Sequence, residues 1–135
     1  MNNKPVVLFA CVHNSGRSVA ARVLTEHYAA GAVEARSAGS QPKGSVNSVV
    51  AQVLAERGLS TDAETGTRLS TETVQGADVV ITMGCGESCP FVPGKRYEDW
   101  PVDDPAGQDV DTVKRIVDDV DGRVRALLAE LGVRV

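Results

Sequence analysis

Apolar positions along the chain follow two different periods. A short apolar run at 4–10 that ends at a turn predicts a buried strand, a second strand is expected at 33–38, and 77–83 predicts a third, buried one. A fourth, shorter strand is expected at 96–98. Between the runs, apolar residues recur every three or four positions. Val19, Val23, Leu24 and Tyr28 predict a helix over 18–30 ended by Gly31, and Val46, Val49, Val50, Val53 and Leu54 predict one over 46–57 with Gly58 just beyond it. A short helix is expected at 70–75. The longest stripe runs from Val110 through Val113, Ile116, Val117, Val120, Val124, Leu127 and Leu128 to Leu131, predicting a helix over 109–131. Strands that alternate with helices imply an α/β fold with a parallel sheet and right-handed crossovers. In such a sheet the loops at 11–17, 84–94 and 100–108 all leave the carboxyl edge, where ligands bind.

The bulk numbers narrow this picture. A chain of 135 residues with 42% hydrophobic content suits one domain, 1–135, with one sizeable core. A net charge of -4 argues against nucleic acid or an anionic membrane as partner, so any anion must be held by a local site. No apolar run reaches the length of a membrane span, and a cytoplasmic location is expected. Three cysteines are an odd number for a disulfide framework, which favours nucleophilic or redox chemistry.

That chemistry concentrates in residues 11–18, Cys-Val-His-Asn-Ser-Gly-Arg-Ser, set between the first strand and the first helix. The bare Cys-x5-Arg spacing is a weak signal. The flanking strand, the internal Ser15-Gly16 and the Ala-rich helix that follows strengthen it. At such a turn the N–H groups of Val12, His13, Asn14, Ser15, Gly16 and Arg17 form a cradle for a tetrahedral oxyanion over Cys11. The positive end of the helix favours an anionic sulfur there. Arg17 is expected to grip two anion oxygens. Ser18 is placed to donate to the sulfur or to cap the helix, and Asn14 to hold the loop through its tolerance of left-handed backbone. His27 reads as structural.

Two further groups lie on the same edge. Cys85 and Cys89, four apart in a segment loosened by Gly84 and Gly86, suit a disulfide that opens and closes. They lack the spacing of a zinc site, and no metal is expected. Asp103 and Asp104 precede Pro105. Asp104 is the preferred general acid, because proline restricts the backbone of the residue before it.

Three segments together, 11–18, Ser37-Ala38-Gly39 and 79–107, resemble the low-molecular-weight protein tyrosine phosphatases, and more closely the thioredoxin-coupled arsenate reductases built on that fold, of actinobacterial type. The resemblance implies a three-layer α/β/α domain around a four-stranded parallel sheet. It implies that the Cys11 thiolate attacks arsenate and that Cys85 and then Cys89 carry the resulting disulfide away. Thioredoxin is the implied reductant, with no bound cofactor, phosphate and sulfate as competing oxyanions, and a monomeric chain. Gly84 stands where better-known reductases have their first relay cysteine. Arg22 stands near the acidic residue with which some members bind potassium, so no potassium site is expected. A phosphotyrosine phosphatase would use Cys11, Arg17 and Asp104 unchanged, but family phosphatases usually place tyrosines after Asp104-Pro105, where this chain has Ala-Gly-Gln. Two other readings are a reductase served by a small thiol such as mycothiol, which would make Cys85 and Cys89 dispensable, and an arsenite sensor. A sensor would need a DNA-binding element that the chain lacks.

Overall fold

The computed structural model describes residues 4–61, 67–84 and 91–133. Cys85 and Cys89 lie outside the described residues. The elements follow in the order β1 (Val6–Cys11), α1 (Arg17–Ala29), β2 (Glu34–Gly39), α2 (Ser48–Glu56), α3 (Thr71–Gln75), β3 (Val79–Thr82), β4 (Arg96–Asp99) and α4 (Val110–Glu130). All four expected strands and all four expected helices are present. The strands form one parallel sheet in the order β2-β1-β3-β4. The chain moves outward from β1 to β2, then crosses to the other side of β1 to form β3. The switch point of the sheet therefore lies beside the carboxyl end of β1, and the residue at that end is Cys11, paired with Gly39 of β2.

Side-chain alternation along β1 feeds two cores. Val7, Phe9 and Cys11 point into the larger one, shared with α1, α2 and α4, while Leu8 and Ala10 point into a smaller one with Leu69, Val74 of α3 and Val80. Helices thus cover both faces, as a parallel sheet requires. Side chains satisfy the exposed N–H groups at three helix starts. Asn47 accepts from Val49 and Val50 at α2, Asp109 accepts from Thr112 at α4, and Ser70 and Thr73 cap each other at α3. α1 differs. It starts at Arg17, one residue before the expected Ser18, on a Gly16 cap that supplies no side-chain bond. Cys11 is a strand residue rather than a loop residue, because its pairing continues the ladder by one step.

Asp121 on α4 ties the three helices of the larger core together. It is buried, and it accepts from Tyr28 Oη of α1 at 2.6 Å, Arg57 Nη1 at the end of α2 at 2.9 Å and Arg125 Nε at 2.8 Å. The hydrogen bond to Asp121 is the main reason the Tyr28 phenol titrates above the ordinary tyrosine range, with burial adding to it. The bond holds the protonated phenol. Its contribution is therefore complete below the unfolded tyrosine value of about 10 and is lost as pH rises through the higher folded value. Asp121→Ala should cost about 2 kcal/mol in urea unfolding at neutral pH. This is less than for a fully buried pair, because both arginines keep water contact. The same variant should bring the Tyr28 phenolate titration back into the ordinary range. A stability change below about 0.5 kcal/mol, the scale of an ordinary surface substitution, would contradict this role.

Candidate active site

The 11–18 loop is bound from behind by the segment that leads into α2. The carbonyls of Cys11, Val12, His13 and Ser15 accept from the N–H groups of Ser40, Gln41, Lys43 and Asn47 at 3.2, 2.7, 3.0 and 2.7 Å. In a trans peptide the C=O and the next N–H point in opposite directions. Carbonyls held outward by this segment therefore turn the following amides inward, over Cys11. The sequence pattern showed only a polar stretch at 41–45 and missed this buttress. Its one legible signal was Asn47, a helix cap whose backbone also meets the loop.

Asn14 fixes the interior of the loop. It is left-handed, with φ 49°, and buried. Its Oδ1 accepts from Thr67 N at 3.0 Å, and its Nδ2 donates to Ser18 Oγ at 2.8 Å. These two bonds fix the orientation of the amide. Thr67 N can only donate, so the amide oxygen faces it and the amide nitrogen faces Ser18. Ser18 Oγ then accepts from Asn14 and lies 2.9 Å from Cys11 Sγ, in place to donate to a thiolate, which has no proton of its own to give. Of the two roles open to Ser18, the structure uses the bond to sulfur and not the helix cap. Gly39 makes the close approach possible, since a Cβ there would lie 2.6 Å from Val12 O and 2.8 Å from Asn14 N.

Above the loop opens a cavity of about 180 Å³, with Cys11, His13, Ser15, Gly16 and Arg17 on one side and Lys43, Ser45, Asn47, Asp104 and Pro105 among its other walls. Val12 and Asn14 support the loop without lining the cavity. The Arg17 guanidinium is largely covered, yet its Nε has no partner among the described residues. Its Nη1 reaches only Val102 O at 3.5 Å, and its Nη2 lies 3.8 Å from Asp104 Oδ2. A buried cation with unspent donors facing a lined cavity is set up for an anion that supplies the missing acceptors.

Asp104 occupies the rim. One of its oxygens accepts from Ala106 N at 3.0 Å, which fixes the turn, and the other faces Arg17. Asp103 lines a different groove with Thr112, Arg115 and Asp119. The loop that carries Asp104 is anchored by buried Trp100, whose ring packs at 5.7 Å from Phe9 and whose backbone N–H donates to Thr82 O at 2.9 Å. Pro105 closes over Gly16, where a Cβ would meet the proline ring at 2.7 Å. Arg22 lies away from this site, donating to Ala35 O and pairing with Glu26. His27 packs edge-on against Tyr28.

The family described as low molecular weight phosphotyrosine protein phosphatase matches residues 6–135. The chain belongs to that family. A curated relative, arsenate reductase 1 of Bacillus cereus, is 31% identical over 130 residues, covering 93% of this chain and 95% of its own. Among solved structures, a thioredoxin-dependent arsenate reductase from Corynebacterium glutamicum superposes with a TM-score of 0.85 at 42% identity. That match covers 96% of this chain, which spans 62% of the longer protein. An arsenate reductase from Archaeoglobus fulgidus superposes with a TM-score of 0.76 at 33% identity, covering 91% of this chain and 98% of its own. The fold read from the sequence is thus that of the family, with neighbours on its arsenate reductase side.

Gly84, the last described residue before Cys85, touches the same site. It has φ +94°, and a Cβ on it would fall 2.5 Å from Arg17 Nη1. Gly84→Ala should therefore displace the guanidinium and weaken phosphate binding by roughly ten-fold, the scale of one charge-assisted hydrogen bond. Isothermal titration with inorganic phosphate checks this. An unchanged affinity would show that Arg17 does not depend on the glycine.

Proposed function

We propose that this protein reduces arsenate to arsenite, with Cys11 as nucleophile and a Cys85/Cys89 relay recharged by thioredoxin. The observation that carries the reading is the Arg17 guanidinium, with unspent donors, over a small cavity whose floor is the Cys11 sulfur. The Cys11 thiolate attacks arsenic in the cradle while Arg17 and the inward amides hold the oxygens. Asp104 donates the proton with which one oxygen departs as water. The Cys85 thiolate then attacks Cys11 Sγ. An S–S bond forms, the S–As bond breaks, and its electron pair leaves with arsenic, which is thereby reduced from the pentavalent to the trivalent state. Cys89 next attacks Cys85, freeing Cys11 as a thiolate and leaving a Cys85–Cys89 disulfide for the external dithiol. Ser18, 2.9 Å from the Cys11 sulfur, donates to the thiolate form and steadies it as attacking and leaving group. No metal enters the scheme.

Two features favour this reading over phosphotyrosine hydrolysis. No Phe, Tyr or Trp is among the described residues that line the cavity, so none of them would hold a substrate ring. Its volume is also below the several hundred Å³ usual for organic ligands, which suits a free inorganic oxyanion. Gly84 lies against Arg17, so the segment that carries Cys85 begins at the edge of the cavity. The curated and structural relatives named as arsenate reductases point the same way.

The test is arsenate-dependent NADPH oxidation by the purified protein with thioredoxin and thioredoxin reductase. Turnover should be lost in Cys11→Ser, Cys85→Ser and Cys89→Ser. Asp104→Asn should lower kcat by about 10² or more, as expected for a missing general acid. Absence of turnover together with ready hydrolysis of p-nitrophenyl phosphate would assign the site to phosphatase chemistry instead.

A further inference from the structure

Phe91 is 73% exposed and is the large hydrophobic side chain left in solvent among the described residues. It is held there by the fold. Its ring stacks on Tyr97 of β4 at 4.7 Å between centroids, with 26° between the planes. The Tyr97 hydroxyl oxygen in turn accepts from Val92 N at 2.6 Å, and Val92 and Tyr97 pack on the smaller core. The neighbouring surface carries no charge through Val92, Pro93 and Gly94, and Lys95 is turned away onto Gln75 O. A fixed, exposed aromatic ring followed by three uncharged residues matches the centre of a protein interface. Little ordering entropy is lost when a partner covers it.

The partner follows from position in the chain, given the relay proposed above. Phe91 is two residues after Cys89, so their Cα atoms are separated by at most about 7 Å. A protein that reduces the Cys85–Cys89 disulfide must bring a thiolate into contact with one of those sulfurs. A surface that reaches Cys89 is thereby brought within contact range of Phe91. We propose that Phe91, presented by Tyr97, is the docking anchor for a protein dithiol of the thioredoxin class, whose nucleophilic cysteine sits in an apolar surface. In the docked pair the thiolate of the partner forms a bond to one sulfur of the disulfide and displaces the other as a thiolate. The second thiol of the partner then displaces the first cysteine, leaving the partner oxidised and both relay cysteines reduced.

The experiment compares wild type and Phe91→Ser with arsenate as substrate under two reductants, thioredoxin with its reductase and dithiothreitol. The proposal expects the KM for thioredoxin to rise at least ten-fold, while the KM for arsenate and dithiothreitol-driven turnover stay at wild-type values. An unchanged KM for thioredoxin overturns it. An equal fall in turnover with both reductants also overturns it, since the ring would then be supporting the relay segment rather than a partner. Wild-type turnover with dithiothreitol but none with thioredoxin removes the protein partner and leaves arsenate reduction standing. Absence of arsenate turnover with either reductant overturns the reductase reading itself, and the docking role with it.

Discussion

Asn14 holds the site in shape. A left-handed, buried asparagine at the midpoint of the 11–18 loop bonds backward to Thr67 and forward to Ser18, and so curls the loop around the sulfur of Cys11. The bonds are directional as well as stabilising. They hold the Ser18 hydroxyl within hydrogen-bond distance of the sulfur. The outer wall of the same loop is tied to the segment before α2 through four carbonyls, which turns its amides inward. The geometry that suits an oxyanion is therefore set by contacts on the far side of the loop from the anion, a form of preorganisation that costs nothing at the moment of binding.

The sheet places these parts. With β1 central and the chain crossing from β2 to β3, the carboxyl end of β1 falls at the switch point, and the loops after β1 and β4 converge there. Trp100 against Phe9 sets the height of the loop that brings Asp104 and Pro105 over Gly16. Gly84 brings the start of the next loop against Arg17 without a side chain in the way. Cys11, Arg17, Asp104 and Gly84, which the proposed reaction uses as nucleophile, anion clamp, proton donor and root of the relay segment, are thus organised by one sheet edge.

Much of this was legible in the chain, because it is written in local pattern. The apolar runs gave the four strands, the three-and-four spacing gave α1, α2 and α4, and the turn chemistry placed Cys11, Arg17 and Asp104 on one rim. The preference for Asp104 over Asp103 rested on Pro105, and the two carboxylates do face different grooves. What the pattern could not give were contacts between distant segments. Thr67 meets Asn14 across 53 residues, and Lys43 and Asn47 reach the cavity from a stretch that looked like an ordinary polar loop. The placing of the Ser18 hydroxyl against the Cys11 sulfur also depends on such a contact, since Thr67 orients the Asn14 amide that bonds the hydroxyl. Strand and helix ends moved by a residue or two where pairing, rather than hydropathy, decides them.

The central claim is that one sheet edge carries out a complete two-electron reduction with three sulfurs of a single chain. The most direct measurement is a single turnover without any external reductant. Fully reduced protein is mixed with one equivalent of arsenate, arsenite is quantified, and the thiols are mapped by alkylation and mass spectrometry. The account predicts close to one arsenite per chain, a Cys85–Cys89 disulfide, and Cys11 again free to alkylate. No arsenite, with all three cysteines still alkylated, would contradict it.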